Sequence, residues 1–204
     1  MNSYMTLEER QDLIKTIKEE RQVIYGQYIN LHPYALEHSE MIVKLRNQEK
    51  SRYNLNQHEE SNLYKQNEWY RDYSLRNDDL YWCIYNKAEI IIGVIRLYNI
   101  NHNECHCNQG SFIIDETYAM GGPYALETEI ITLNFAFDTL QIDTIFNDIR
   151  VENKVMNSIS RRIGFRFVKE FEREGVYFNL YELTKRNYNR NELEMILNKW
   201  KKRE

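Results

Sequence analysis

Glycine, proline and cysteine are scarce in this sequence, and each scarcity argues against a class of protein. The 204 residues include 7 glycines, 2 prolines and 3 cysteines. An odd, small number of cysteines argues against a disulfide-stapled secreted scaffold and favours a reducing, cytoplasmic environment. No apolar run approaches the roughly 20 residues that a membrane-spanning helix needs. We therefore expect no membrane partner.

A net positive charge is also missing. The chain has 27 Lys and Arg residues against 31 Asp and Glu residues, which gives a net charge of -4. A protein whose main partner is nucleic acid presents a basic face to the phosphate backbone, so nucleic acid is not the expected partner. The basic residues are nevertheless spread along the chain, and a local basic pocket for a small anionic ligand is compatible with them.

The apolar and turn patterns predict one α/β domain with a short helix at either end. Residues 1–25 form a predicted helical extension, because Thr6 and Glu9 make a capping box ahead of a thin apolar stripe. That helix either docks on the main domain or binds a partner. The main domain spans residues 26–186, and residues 187–204 form the C-terminal helix. We predict strands over 28–31, 80–85, 89–98, 105–114, 144–151 and around 176–180, and helices over 39–47, 58–73, 124–140 and 153–163.

One turn concentrates the scarce residues. Gly121, Gly122 and Pro123 stand together between a predicted strand and a long apolar-periodic run. Glycines let a backbone approach a ligand closely, and the free N–H groups and positive dipole end of a helix start attract anions. The stretch therefore predicts either a plain tight turn into a helix or a phosphate site at the helix start.

Three segments in order resemble the GNAT superfamily of N-acetyltransferases. "EIIIGVIRLYNI" is similar to a central strand of that family, "MGGPYALE" to its pyrophosphate loop, and "VENKVMNSISRRIGF" to its next strand-to-helix segment. The resemblance covers roughly residues 27–185. It implies an α/β (α+β) GNAT fold: a mixed, mostly antiparallel sheet, splayed at its centre and flanked by helices, with acetyl-CoA as cosubstrate in the gap and no metal.

The resemblance also implies roles for individual residues. The strand before the loop would pair with the pantetheine arm, the loop amides would hold the pyrophosphate, and Asn153 would reach the arm. The departures are Tyr118 and Pro123 in the loop, and Ser160 where the family often has a tyrosine general acid seven residues after the Asn. The implied cofactor-binding set is Phe112, Ile113, Ile114, Met120, Gly121, Gly122, Tyr124, Ala125 and Asn153.

Candidates for proton transfer are fewer. Glu104 or His106, at the start of the strand that enters the loop, is a candidate general base. The alternative is that both are exposed polar residues at a strand edge. Ser160 is a candidate acid by its position. Cys105 and Cys107 flank His106, but neighbouring strand side chains point to opposite faces and no second pair with zinc spacing exists, so we expect no metal site.

The acceptor side is indicated by "LRNQEKSRYNLNQ" and "QNEWY". These segments resemble the GNAT branch that acetylates nucleotide-linked aminosugars, and the resemblance places Arg46, Asn47 and Trp69 beside the acceptor. A small-molecule amine, favoured as a nucleotide sugar, is the expected partner. The resemblance is also compatible with a homodimer. Protein N-termini, amino acids and polyamines are alternative acceptors, and a non-catalytic GNAT-like module that binds a partner through its terminal helices is the non-enzyme alternative.

Overall fold

The computed structural model describes residues 5–119 and 122–201 and contains eight helices around an eight-stranded sheet in those ranges. The strands are β1 (Ile24–Tyr25), β2 (Ile29–Pro33), β3 (Leu80–Asn86), β4 (Ile91–Asn101), β5 (His106–Ile114), β6 (Thr144–Arg150), β7 (Arg166–Arg173) and β8 (Val176–Thr184). The helices are α1 (Leu7–Glu19), α2 (Ser39–Asn47), α3 (Glu49–Asn54), α4 (Leu63–Leu75), α5 (Glu116–Ala119), α6 (Tyr124–Asn134), α7 (Lys154–Ile163) and α8 (Arg190–Lys201), and α6 continues as a π-helical turn, Phe135–Thr139.

The sheet has the order β1-β2-β3-β4-β5-β6-β8-β7, and its pairs are antiparallel except β5 with β6. These two parallel strands are paired only from His106 with Thr144 to Asn108 with Phe146. Beyond that point each strand continues without the other, because β5 runs on to Ile114 and β6 to Arg150. The sheet is therefore splayed at its centre, as the sequence predicts.

Each face of the sheet has its own hydrophobic core. On one face, side chains of α1, α6 and α8 join those of the strands around the fully buried Trp82. On the other face, α2 and α4 cover a smaller cluster that contains Tyr81, Cys83 and Val94. The β4 run of Ile92, Val94 and Ile95 is fully buried, since both faces of this central strand are covered.

The N-terminal helix is bound to this core by both apolar and polar contacts. Its capping box forms as predicted, and Ile14 and Ile17 are buried in the larger cluster. Arg10 is 1% exposed and donates to the carbonyl oxygens of Leu140 (2.7 Å) and His102 (2.8 Å). Buried carbonyls of this kind need a donor, so α1 completes the hydrogen bonding of the loops on which it lies.

Some predicted elements are wrong in extent. Helix α4 begins at Leu63 rather than near His58, because Asn62 caps it and accepts from the amide of Lys65. Leu63 and Tyr64, in its first turn, are 46% and 71% exposed. The segment between the predicted helices over 39–47 and 58–73 contains α3. Strand β7 has no prediction, because nearly every residue of this edge strand is exposed. Among the helices in the described ranges, none is long and apolar enough to cross a membrane.

Candidate active site

The splay between β5 and β6 leaves one edge of β5 open. Phe112, Ile113 and Ile114 belong to the part of β5 that has β4 on one side and, within the described residues, no ladder partner on the other. Backbone N–H and C=O groups on such an edge are free to pair with an extended ligand. An acyl chain with amide groups, such as pantetheine, matches the hydrogen-bonding character of this open edge.

A bulge in β5 lies beside the slot. Val94 pairs with Ile113 and Arg96 with Gly110, so two β5 residues, Ser111 and Phe112, oppose one residue of β4. Ser111 has a φ of 48°, in the left-handed region. A bulge leaves a backbone group outside the ladder. A backbone amide freed in this way is available to a carbonyl oxygen in the gap.

The start of α6 lies beyond the open end of β5. Pro123 is the N-cap and Tyr124 the first helical residue, so the amides of Tyr124 and Ala125 have no partner inside the helix. Free amides at a helix start can bind an anion, so the phosphate site predicted at Gly122, Tyr124 and Ala125 stays a prediction. Met120 and Gly121, also predicted here, lie outside the described residues.

Glu127 anchors the start of α6 to the sheet. Its carboxylate is 3% exposed and accepts from the amides of Gln27 (2.6 Å), Tyr28 (2.7 Å) and Ile29 (2.8 Å). Three charge-assisted hydrogen bonds to one side chain fix the helix start relative to β2. The start of α6 is therefore held against the chain at β2.

The side chain of Asn153 makes two hydrogen bonds within the protein. It caps α7 by accepting from the amide of Met156 (3.1 Å) and donates to Asn54 Oδ1 (3.1 Å). Asn153 thus joins the start of α7 to α3 across the open end of the splay. Its predicted contact with the pantetheine arm stays a prediction.

A cavity of about 300 Å³ lies on the α2 and α4 face of the sheet, beside the bulge. It brings together two of the three predicted acceptor residues, Arg46 and Trp69, and borders β5 at Ser111. Asn47 does not line it, because its side-chain amide is bonded to both backbone groups of Ser61, at 2.8 and 2.9 Å. The residues that line this acceptor cavity are Arg46, Ser61, Lys65, Gln66, Trp69, Tyr81, Arg96 and Ser111.

The charges of the acceptor cavity are predominantly positive. Its described lining includes three cations, Arg46, Lys65 and Arg96, and no carboxylate. Arg96 is paired with the buried Asp79, which Arg76 also contacts at 2.9 Å, and Lys65 contacts the exposed Glu59. Arg46 makes no ion pair with a described residue. The cavity is therefore suited to an anionic rather than a cationic ligand.

Aromatic rings form one wall of the acceptor cavity. Trp69 is half-buried and stacks on Tyr73 with ring centroids 5.1 Å apart, and the Arg96 guanidinium lies 4.9 Å from the Trp69 ring centroid. The hydroxyl of Tyr81 is buried, and the Arg46 side chain lies beside it. Burial raises the pKa of Tyr81 to about 12, although the nearby Arg46 opposes this rise. Trp69 thus fills core and lines the cavity at once.

The residues predicted for proton transfer lie away from this cavity. Glu104 and His106 are at the opposite end of β5 from the glycine turn, where His106 Nδ1 is 3.4 Å from Glu104 Oε2. Ser160 is 1% exposed and faces the protein interior from α7. The structure brings none of the three to the acceptor cavity.

Sequence reasoning missed Lys65, Tyr81, Arg96 and Ser111. Arg96 stands inside the apolar run "IIIGVIRLYNI", where a lone charged residue in a buried strand is a signal of a paired or ligand-binding side chain. The β5 bulge has no comparable signal. Cys107 is buried in the core, and no group of three possible metal ligands converges within the described ranges.

Comparisons with known proteins agree with this geometry. Solved structures similar to this fold include apo FdhC, described as a nucleotide-linked sugar GNAT, with a TM-score of 0.73 at 21% identity over 87% of this chain and 98% of that one. A GCN5-related N-acetyltransferase from Brucella melitensis gives 0.73 at 20% identity over 88% and 87%. Spermidine N-acetyltransferase from Vibrio cholerae, in complex with CoA and spermine, gives 0.73 at 16% identity over 80% and 99%.

At such identities these structures show the shared fold, and their acceptors do not transfer to this chain. No curated protein sequence matches this chain. The model of the acetyltransferase (GNAT) domain family, however, matches residues 29–166, which is more than half of the sequence. That match includes the splayed strands, the glycine turn and α7. The chain belongs to the GNAT acetyltransferase family and is an N-acetyltransferase.

Proposed function

We propose that this enzyme transfers the acetyl group of acetyl-CoA to the amine of a nucleotide-linked aminosugar. The observation that carries the proposal is Arg46, a cation without a carboxylate partner in a cavity whose other charged lining residues are also basic. A guanidinium binds phosphate through a planar fork of donors. The diphosphate of a nucleotide sugar supplies the matching charge, and the solved sugar GNAT supports the same acceptor class.

Positive charge argues against a polyamine as the acceptor. A spermidine-like substrate carries several ammonium groups, and Arg46, which makes no ion pair with a described residue, would repel it. The favoured acceptor therefore combines one amine with a negatively charged remainder. A second cavity, of about 500 Å³, adjoins Asn47 and contains Arg52 and Arg150, which gives space near the first for a large acceptor.

The residues present fit acetyl-CoA as the acetyl donor. The open edge of β5 would hold the pantetheine arm, and the amides of Gly122, Tyr124 and Ala125 would hold the pyrophosphate. The thioester supplies an activated acyl group, so the protein must bring the amine to it in the correct orientation and provide a donor for the carbonyl oxygen. The backbone at the Ser111 bulge would provide that donor, and the register shift there supports this role.

A thiol-release assay tests the proposal. UDP- and dTDP-linked aminosugars, peptides with free N-termini and spermidine are offered in parallel with acetyl-CoA. We expect turnover with an aminosugar nucleotide and a 10- to 100-fold higher KM for it in Arg46→Ala, since a charged hydrogen bond contributes about 1.5–3 kcal/mol. Arg71→Ala, on the exposed side of α4, is the matched control. Turnover confined to peptides or spermidine would end the sugar hypothesis.

A further inference from the structure

The proton donor for the leaving thiol is not at the position that the family pattern indicates. Breaking the carbon–sulfur bond of a thioester leaves a thiolate, and a nearby acid that protonates it speeds this step. Ser160 stands at the family's tyrosine position, yet it is a buried hydroxyl with an intrinsically poor acidity. Glu104 and His106 are at the far end of β5. A side chain with an acidic proton beside the splay would serve this step better.

Tyr98 on β4 is the tyrosine beside the splay. It pairs with Asn108, the last β5 residue that contacts β6, and its ring leans over the neighbouring Gly110. A Cβ on Gly110 would lie 3.1 Å from Tyr98 Cε1 and 3.3 Å from the hydroxyl oxygen. The hydroxyl therefore lies over the Cα of Gly110, one residue before the bulge at Ser111. The absence of a side chain at position 110 is what makes room for it.

The ring also lies on the acceptor face of the sheet. The Arg96 guanidinium is 4.8 Å from the Tyr98 ring centroid and 4.9 Å from that of Trp69, so one arginine bridges Tyr98 to the wall of the acceptor cavity. The Tyr98 side chain is half-buried, and its hydroxyl makes no hydrogen bond with any residue in the described ranges. It is thus free to donate to a ligand at the splay.

We propose that the Tyr98 hydroxyl is the proton donor to the departing thiolate in the acetyl transfer. The inference rests on the proposed function for acyl transfer to an amine, and it holds whichever amine is the acceptor.

The atoms balance in the following way. The acceptor reacts as its free amine, and the nitrogen forms a bond to the thioester carbonyl carbon. The carbon–sulfur bond then breaks, with its electron pair going to sulfur, and the Tyr98 proton passes to that sulfur to give the thiol. The nitrogen, now part of an amide, loses one proton, which returns to the Tyr98 oxygen.

The surroundings of Tyr98 keep its proton in place at neutral pH. Burial raises the pKa of Tyr98 to about 12; Asp148 on β6 and Asp79 add to this rise, whereas Arg96 on β4 and Arg173 on β7 oppose it. Because Asp148 is itself paired with Arg173 at 2.9 Å, the charges facing the hydroxyl largely compensate each other. The hydroxyl is therefore fully protonated across the range in which an amine becomes a free nucleophile.

Tyr98→Phe tests the proposal, because it removes the hydroxyl and keeps the ring against Gly110. We expect the single-turnover rate of acetyl transfer to fall at least 100-fold, while calorimetry shows an unchanged Kd for acetyl-CoA and the KM for the acceptor changes less than threefold. Tyr25 is 76% exposed, and Tyr25→Phe is the control that should leave the rate unchanged. A rate within threefold of wild type would overturn the proposal.

Two further measurements separate proton donation from structural support. The wild-type single-turnover rate should hold to at least pH 9.5, since the donor is still protonated there; a loss with an apparent pKa below 9 would assign the donor to a more acidic group. Gly110→Ala should also slow the reaction, because its methyl group displaces the hydroxyl; an unchanged rate would contradict the placement. If the wild-type protein failed to bind acetyl-CoA, the proposed function would be wrong. The proposed role of the Tyr98 hydroxyl would then be wrong as well.

Discussion

Replacing one buried carboxyl group, that of Glu129, should change how stability depends on pH. Glu129 lies on α6 and is 4% exposed; its Oε2 accepts from Gln109 Nε2 at 2.9 Å, and Gln109 Oε1 is buried without a partner in the described chain. Burial raises the pKa of Glu129 to about 7 from 4.5, although the hydrogen bond from Gln109 opposes this rise.

The sign of the effect follows from proton binding. Between pH 4.5 and 7 the folded protein holds a proton at Glu129 that the unfolded chain has lost, so the free energy of unfolding falls as pH rises and is constant above pH 7. The gap between the two pKa values corresponds to about 3 kcal/mol, taken as an upper bound. Glutamine at position 129 is neutral throughout and offers Gln109 Oε1 a donor.

Urea unfolding at pH 5, 6, 7 and 8 measures the difference between Glu129→Gln and wild type. We expect the two proteins to be equally stable near pH 5 and the variant to be more stable by about 3 kcal/mol at pH 8. Other titrating groups cancel in this difference. Glu40→Gln, at an exposed position on α2, is the control and should change the free energy of unfolding little. A difference independent of pH, or a variant less stable at pH 8, would refute the reasoning.

Three other substitutions have defined outcomes. Gly122→Val should abolish acetyl-CoA binding in calorimetry, because its Cβ would lie 2.6 Å from the Tyr124 ring and its branches would occupy the space before the α6 amides; unchanged affinity would place the pyrophosphate elsewhere. Gly164→Ala should lower the free energy of unfolding by about 3 kcal/mol or more, since φ is 117° and the new Cβ would lie 1.9 Å from the carbonyl oxygen of Asn187. Gly175→Ala should lower it by only about 1–2 kcal/mol, because φ is 75° there but no atom lies within 4 Å of the new Cβ. Equal losses would disprove the clash. Glu127→Gln should lower the free energy of unfolding, measured in urea, by about 2–4 kcal/mol, because an amide cannot accept hydrogen bonds from all three backbone N–H groups. A loss below about 1 kcal/mol would contradict the anchoring role of Glu127.

Local signals predicted the fold best. The α1 capping box and the bounds of α2 follow from a few adjacent residues, and the structure confirms both. Strand β7 has no such signal, because an exposed edge strand has charged residues on both faces and no apolar alternation. The position of α4 depends on a choice between several polar residues that could cap it, and the sequence does not make Asn62 stand out from its neighbours.

The parts of the candidate site that are contiguous in sequence were the easiest to predict. The start of α6 and the slot along β5 lie within one stretch of the chain, so their geometry follows from it. The acceptor cavity joins α2, α4, β3, β4 and β5, and it depends on which face each strand residue occupies. A single bulge at Ser111 alters that assignment for the remainder of β5. Arg96 has a sequence signal, as a lone charge in an apolar run, whereas Tyr98 becomes a candidate only in the folded chain.

The N-terminal helix is a support for the acceptor side rather than a free docking element. Its apolar residues Ile14 and Ile17 are already buried, so little of its apolar stripe remains for a partner. Lys18 donates to the carbonyl oxygens of Tyr73 (2.9 Å) and Arg76 (2.7 Å), at the C-terminal end of α4. A cation there satisfies carbonyls that the helix itself leaves unpaired. Because α4 also carries Trp69, the contact extends from α1 to the wall of the acceptor cavity, which argues against a module that binds partners through this helix.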